Sequence, residues 1–333
     1  MVKVVNMIYG NLKNGFLSSS LRIKHNRLES ISRVFNHIPH KLYRIALYIL
    51  LFSIAFVFLY PFLYVFITSL KTYRDINDFT VNWIPRSIKY QNYIFAIRIL
   101  GYFKYITNSV LLTVIGTLGH LIACSFIGYG FARYKFPGKN ILFFIVILSI
   151  IVPIQTLIVP LYMTFSNYGW VNTYLPILVP TFFGFGLRGG LFIFIFRQFY
   201  TGFPKELEDA AKIDGCGFLR TYWSIVLPVA RSVFWVVIVL SMVWHWNDFY
   251  EPSIYINKMA LTVLPARLQT LVNYVNNPQG DIFFGMLLEE GEDTINNAVL
   301  MAGTFLIIFP ILMAFGFIQK KFMQGIERTG LVE

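Results

Sequence analysis

The stretch Gly202-Phe-Pro-Lys-Glu-Leu-Glu-Asp-Ala-Ala-Lys-Ile-Asp-Gly215 is a polar segment inside an otherwise apolar chain. Pro204 suits the first position of a helix, where its missing N–H is not needed. Gly215 suits a left-handed cap at the end of the same helix. Three acids would fill the first turn, where the helix dipole favours negative charge: Glu206, Glu208 and Asp209. The pattern therefore predicts a helix over 204–214 that is about 16 Å long.

One face of this predicted helix is apolar, small and smooth. Its members recur at helical spacing: Leu207, Ala210, Ala211 and Asp214. Small side chains let another protein surface approach the helix closely, so the face is a candidate docking surface. An ordinary interfacial helix that lies on lipid remains the alternative.

Long apolar runs lie on both sides of this segment. Of the 333 residues, 56% are hydrophobic and only 13% are charged, whereas a soluble domain carries about 25% charged residues. Runs of 18 or more apolar residues are typical of helices that span a bilayer. Polar interruptions, which the core of a large soluble protein would require, are absent. The sequence predicts an all-α polytopic membrane protein with six spans, at 42–70, 105–132, 141–165, 174–199, 229–246 and 294–318.

The basic residues behind the net charge of +12 are distributed along the sequence in a way that is typical of membrane proteins. With both termini in the cytoplasm, nineteen of the 28 Lys and Arg residues lie in cytoplasmic segments, as the positive-inside rule requires. Six basic residues at 71–104 depart from that rule. The basic N-terminal segment is expected to contact anionic lipid rather than nucleic acid. An acidic stretch at 289–293 is expected outside, where it could face a basic partner or solvent.

The sequence offers no constellation for catalysis or for metal binding. Its two cysteines, Cys124 and Cys216, indicate no disulfide framework, and its five histidines show no metal-ligand spacing. There is no Gly-x-x-x-x-Gly-Lys-(Ser/Thr) phosphate loop and no nucleophile with an adjacent base. We therefore expect no catalytic residue, no metal and no cofactor bound by this chain.

The loop at 202–228 resembles the EAA loop of ATP-binding cassette (ABC) importer permeases. The likeness lies in Glu208-Asp209-Ala-Ala-Lys-Ile-Asp214-Gly215, followed after eleven residues by Leu227-Pro228. The family pattern is Glu-Ala-Ala, two residues, Asp-Gly, and then a hydrophobic stretch that closes in Leu-Pro. Asp209 stands where the family usually has glutamate, which keeps the charge but shortens the side chain by one methylene.

Further stretches resemble the carbohydrate-uptake permeases, in particular the six-span, maltose-type subunit. They are Phe196-Arg-Gln-Phe199, Trp246-Asn-Asp-Phe249 and Leu264-Pro-Ala-Arg-Leu-Gln269. The resemblance covers roughly residues 40 to 333. It implies a basic cytoplasmic segment at 1–41, a first span with its outer loop at 42–104, a core permease domain at 105–318, and a cytoplasmic tail at 319–333.

The resemblance also implies a mechanism and a set of partners. Two permease subunits, of which the second is expected to be a different chain, would enclose a pathway in the bacterial cytoplasmic membrane. Two ATPase subunits beneath them would use ATP and Mg²⁺, and an extracytoplasmic binding protein would deliver the sugar. The helix at 204–214 would be the coupling helix, with seven residues facing the ATPase: Glu206, Glu208, Asp209, Ala210, Ala211, Asp214 and Gly215.

Arg188 is the candidate residue for the pathway itself, because a charge within a span usually faces a cavity or a partner. Trp244, Trp246, Asn247 and Asp248 combine aromatic faces with hydrogen-bonding groups, which sugars need, although tryptophans also form interfacial belts. Arg188 could instead pair with a carboxylate of the second permease, or lie at a span boundary.

Two other functions stay open at this point. One is an ABC importer for an amino acid, a peptide or another small solute, which the loop alone fits equally well. The other is a secondary transporter driven by an ion gradient. That class requires carboxylates within the spans, and the predicted spans contain no Asp or Glu.

Overall fold

A computed structural model describes residues 40–81, 83–186, 188–276 and 296–330 of the chain. Residues 1–39 of the predicted basic segment at 1–41, and the whole acidic stretch at 289–293, lie outside the described residues. Every regular element within the described ranges is a helix, which agrees with the all-α prediction. The chain divides into two units, Met1–Leu63 and Tyr64–Glu333. The described part of the first unit is the beginning of helix α1, an apolar helix that contains Pro61.

The described helices follow one another along the chain. They are α1 (His40–Ser69), α2 (Tyr73–Asn77), α3 (Gln91–Leu100), α4 (Tyr102–Arg133), α5 (Lys139–Ile151), α6 (Ile154–Asn167), α7 (Leu175–Leu178), α8 (Gly189–Thr201), α9 (Lys205–Ile213), α10 (Phe218–Thr221), α11 (Leu227–Val229), α12 (Arg231–Asn247), α13 (Tyr250–Tyr255), α14 (Leu264–Asn276) and α15 (Asn297–Gly330). A 3₁₀ turn at Val179–Phe183 follows α7, and a π turn at Tyr222–Val226 joins α10 to α11.

Three helices are long and apolar enough to cross a membrane. They lie at Lys41–Ser69, Tyr102–Arg133 and Asn297–Gly325, and correspond to the first, second and sixth predicted spans. Two bent pairs bring the number to five if each pair is one span: α5 with α6, and the helices of Phe218–Val229 with α12. The count of six therefore stays a prediction.

The third predicted span is broken rather than straight. Helices α5 and α6 meet at an angle of 105°. Pro153 lies between them, and a proline restricts the residue before it to extended backbone. Val152 has that conformation, with ψ of 120°, so α5 ends there.

The fourth predicted span, at 174–199, is not a continuous helix in the structure. Helix α7 and the 3₁₀ turn end at Gly184, and α8 begins only at Gly189. The backbone between them is left-handed at Gly184 and Gly186, with φ of 70° and 90°. Glycine adopts that region without steric penalty, so the glycine-rich sequence produces a break where the apolar pattern had predicted a span.

Helix α4 is the centre of the second unit. It packs against α8 and α12 and carries part of the main buried cluster, which also includes Phe192, Phe196 and Val233. Gly128 permits the close approach, because a Cβ there would lie 2.7 Å from the Cβ of Phe196. Small residues have this role at many helix contacts in membranes. The core therefore fixes α4 against α8, which begins at the break, and against α12.

Candidate coupling helix and translocation cavity

The helix predicted from the polar loop is α9, Lys205–Ile213. Pro204 precedes it as the N-cap rather than as its first residue, a shift of one position from the prediction. Gly215 has φ of +75°, the left-handed conformation predicted for the end of the helix. The N–H of Cys216 donates to the carbonyl of Ala211 at 2.9 Å and closes this cap. Local signals at both ends therefore define α9.

Glu208 faces the protein interior and forms an ion pair with Arg133, the last residue of α4. The Nε of Arg133 lies 2.7 Å from Oε1 of Glu208, and both side chains are less than a tenth exposed. Arg133 also donates to the carbonyl of Phe203, and its guanidinium lies 5.6 Å from the centre of the Phe203 ring. These contacts attach α9 and Phe203, two residues before it, to the end of a long central helix.

Asp209 and Lys212 are both exposed on α9. The Nζ of Lys212 donates to Oδ1 of Asp209 at 2.8 Å. That hydrogen bond holds the pKa of Asp209 below its usual value, and the positive charge of Lys212 acts in the same direction. Exposed ion pairs of this kind contribute little to stability. Either group can therefore leave this pair and bind a charged group on a partner protein instead.

The exposed surface of α9 differs from the small face predicted from spacing. Ala211 is only 2% exposed and packs inward together with Glu208. The exposed residues on or beside α9 include six of the predicted contact residues or their neighbours, Glu206, Leu207, Asp209, Ala210, Asp214 and Gly215, and also Lys205, Lys212 and Ile213. The prediction grouped Ala211 with Ala210 because both suit a close contact. Glu208 pairs with Arg133, which is distant in sequence, so the spacing along α9 could not show which side of the helix faces inward.

A cavity of about 520 Å³ is lined by residues around the break before α8 and by the end of α12. It brings together four of the five residues proposed for the pathway, Arg188, Trp244, Asn247 and Asp248. Trp246 does not line it. The indole of Trp246 is buried and donates to the carbonyl of Ile307 at 3.0 Å, so it holds α12 against α15.

Arg188 is presented to the cavity by a left-handed backbone. Its φ of 63° is uncommon for a residue other than glycine and costs about 1–2 kcal/mol. Its Cζ lies 4.3 Å from the centre of the Trp244 ring. Within the described part of the chain, the ion pairs involve other basic residues and leave Arg188 without a carboxylate partner. The N–H donors of its guanidinium remain available to a ligand or a partner chain.

Two acids line the cavity beyond the end of α12. Oδ1 of Asp248 accepts the backbone N–H groups of Tyr250 and Glu251 at 3.0 and 3.3 Å and caps α13. Its Oδ2 is buried and has no hydrogen-bond partner among the described residues. Glu251 is buried beside it. Burial raises the pKa of both carboxyls. The sequence patterns had not indicated Glu251.

A chain of polar contacts connects the cavity to the centre of the protein. Nε2 of His245 on α12 lies 3.2 Å from Nδ1 of His120 on α4. Nε2 of His120 lies 3.4 Å from the carbonyl of Phe185, which lines the cavity at the break. Gly116 makes room for this pair, since a Cβ there would lie 2.6 Å from the ring of His245. The two histidines thus link α4 and α12 to the backbone at the break. No group of three possible metal ligands occurs among the described residues.

Comparison with known proteins gives relatives of similar length. The chain is 28% identical to the arabinooligosaccharides transport system permease protein AraQ of Bacillus subtilis (strain 168), over 90% of this chain and 99% of that protein. It is 29% identical to the osmoprotective compounds uptake permease protein GgtD of Synechocystis sp. (strain PCC 6803), over 85% of this chain and 90% of that protein.

A solved structure shares the fold. It is the crystal structure of a bacterial ABC transporter involved in the import of the acidic polysaccharide alginate, and the TM-score is 0.70 at 19% identity. The similarity covers 84% of this chain and 96% of the solved chain. At this identity the comparison supports the fold, an ABC permease fold, and not the solute.

A family model matches residues 124–328, a range that contains α9, the cavity and both bent helix pairs. Its description is the inner membrane component of a binding-protein-dependent transport system. The match covers more than half of the chain, and the apolar helices agree with a protein that crosses the inner membrane several times. The protein therefore belongs to the family of inner membrane components of binding-protein-dependent transport systems.

Proposed function

We propose that this protein is one of two permease subunits of an ATP-driven importer for a sugar or oligosaccharide. The observation that supports this most is α9. It carries the family loop on an exposed helix, and an interior ion pair anchors that helix to the central span. Partner ATPase subunits would bind and hydrolyse ATP with Mg²⁺, and this chain would bind no cofactor. A binding protein would deliver the solute from outside.

In this proposal the acids at the start of α9 have different roles. Asp209 and Glu206, together with Leu207, Ala210, Asp214 and Gly215, form the exposed surface that meets the ATPase. Glu208 connects α9 to Arg133 and is a positioning residue rather than a contact. Movement of the ATPase would thus act on the end of α4. Helix α4 packs against α8 and the 3₁₀ turn, which border the break that carries Arg188.

The cavity is the proposed section of the pathway within this subunit. Arg188, Asn247 and Asp248 offer polar groups, and Trp244 offers an aromatic face beside them. A pocket with a few fixed polar groups among apolar walls is the usual form of a small-molecule site. Trp246 would not contact the solute but would hold α12 against α15, because its ring is buried between these helices.

The solute class is supported by the relative that carries arabinooligosaccharides, which matches nearly over its whole length. The relative for osmoprotective compounds favours a second candidate, a small compatible solute. Uptake of labelled oligosaccharide and of a labelled compatible solute into proteoliposomes that contain the complete transporter distinguishes the two. We expect labelled oligosaccharide to accumulate only with ATP, and a protonophore to leave the rate unchanged. Accumulation that does not require ATP and that the protonophore abolishes would indicate an ion-gradient transporter.

The proposed topology has six spans and both termini in the cytoplasm. We expect a membrane-impermeant maleimide to label a cysteine introduced at Asn276 in intact cells and to spare one at Glu333. The background variant would carry Cys124→Ala and Cys216→Ser. Labelling of position 333 without cell lysis would contradict the proposed orientation.

The exposed position Ala210 provides a direct test of the docking surface. We expect Ala210→Trp to reduce uptake at least ten-fold, because a bulky ring there would separate α9 from the ATPase. The variant should still insert and keep wild-type thermal stability, since Ala210 is exposed in this chain. Ala210→Ser is the matched control and should transport normally. Full uptake by the Trp variant would remove Ala210 from the contact.

A further inference from the structure

A second cavity, of about 610 Å³, lies between the beginning of α12 and the last part of α15. It is on the side of the protein that carries α9, because α12 follows the loop directly. The two helices touch at its edge: a Cβ on Gly325 would lie 2.5 Å from the carbonyl oxygen of Ser232. The cavity is separate from the one that Arg188 lines.

Two cations border this second cavity. Arg231 is the first residue of α12 and is exposed, and Lys321 on α15 is exposed as well. The ion pairs found in the described ranges do not include either of them. The dipole of a helix disfavours a cation at its beginning, so the stability of α12 does not explain Arg231. Both positive charges are therefore available for an anion.

The remaining walls separate into polar and apolar parts. The Nζ of Lys321 lies 4.4 Å from the centre of the Trp235 ring, and Gln324 adds an amide near the cations. Leu227, Phe234 and Ile238 supply an apolar wall. Tryptophan is enriched at the level of the lipid headgroups. Basic pockets between membrane helices also bind anionic headgroups there.

We propose that this cavity binds an anionic phospholipid. The phosphate contacts Arg231 and Lys321, Gln324 donates to a headgroup oxygen, and the acyl chains cover Leu227, Phe234 and Ile238. A free phosphate would satisfy the two cations but would leave the apolar wall uncovered, which favours the lipid. The inference depends on the protein's place in a membrane and not on the solute that it carries.

The test measures the lipids that stay bound to the purified transporter. The complete complex is solubilised from membranes that contain phosphatidylglycerol and phosphatidylcholine, washed with detergent, and analysed by native mass spectrometry. We expect the wild type to retain phosphatidylglycerol selectively, and the double variant Arg231→Gln, Lys321→Gln to retain at least ten-fold less. Lys320→Gln removes the same charge one residue away, outside the cavity, and should retain lipid as the wild type does.

Two further measurements keep the proposal open to contradiction. Arg231→Lys preserves the charge and should retain phosphatidylglycerol. The single variant Lys321→Gln, which should retain less lipid than the wild type, replaces the double variant if that complex fails to assemble. Inorganic phosphate at millimolar concentration should not displace the lipid. Equal phosphatidylglycerol on the wild type and on the Lys321→Gln variant would overturn the proposal. Displacement by phosphate alone would assign the cavity to a soluble anion instead.

Discussion

Replacement of Arg133 by alanine is expected to lower uptake at least ten-fold and to reduce the thermal stability of the purified transporter. The variant leaves the buried carboxylate of Glu208 without its partner, and breaking a buried ion pair in this way costs about 3–5 kcal/mol. Helix α9 would also lose its attachment to α4. Bound ATPase should still hydrolyse ATP, but the binding protein with its solute should no longer stimulate that hydrolysis.

The control for this experiment is the exposed pair on the same helix. Lys212→Ala removes a cation from Asp209, as Arg133→Ala removes one from Glu208, but on the solvent-exposed side. We expect Lys212→Ala to leave thermal stability unchanged. The reversed pair Arg133→Glu, Glu208→Arg should recover part of the loss. If Arg133→Ala and Lys212→Ala have the same thermal stability and the same uptake, the interior ion pair has no special role.

Replacement of Arg188 by alanine has the second large expected effect, a loss of uptake of about ten-fold or more while the complex still assembles. Hydrogen bonds to a charged group contribute about 1.5–3 kcal/mol, and 1.4 kcal/mol corresponds to a factor of ten. Arg188→Lys keeps the charge but loses the planar fork of donors, so we expect an intermediate rate. Uptake by vesicles, measured together with co-purification of all subunits, gives the answer.

The outcome distinguishes the roles that remain for Arg188. Loss of assembly together with uptake would assign it to an ion pair with the second permease. Unchanged uptake would remove it from the pathway. The two tryptophans provide a matched comparison: Trp244→Leu should weaken uptake at low solute concentration, whereas Trp246→Leu should lower thermal stability, because only Trp246 is buried between helices.

The sequence predicted those features whose signals are local. The proline and glycine at the ends of α9 determine its length, and the apolar runs indicate the long helices α1, α4 and α15. The breaks were harder to predict, because glycines in a bilayer helix fit both a close helix contact and a change of direction. Only the structure shows that Gly184 and Gly186 change direction, whereas Gly128 makes a contact.

The orientation of side chains on α9 had no local signal. Glu208 and Asp209 are neighbours in one acidic stretch, and the family resemblance placed both toward the ATPase. Glu208 turns inward because Arg133, distant in sequence, ends α4 beside it. The pair of His120 and His245 likewise depends on the packing of two helices that are far apart in sequence. Such contacts follow from tertiary structure and not from spacing.

A cross-link between α9 and the ATPase tests most directly whether α9 couples ATP hydrolysis to transport. Cysteines are introduced one at a time at Ala210, which is exposed, and at Ala211, which is buried, and each is treated with a cleavable bifunctional maleimide in the assembled transporter. We expect position 210 to link to the ATPase and position 211 not to link. The linked complex should lose uptake, and cleavage of the linker should restore it. A complex that shows no link from position 210, or that transports at the full rate while linked, would contradict the claim that α9 couples ATP hydrolysis to transport.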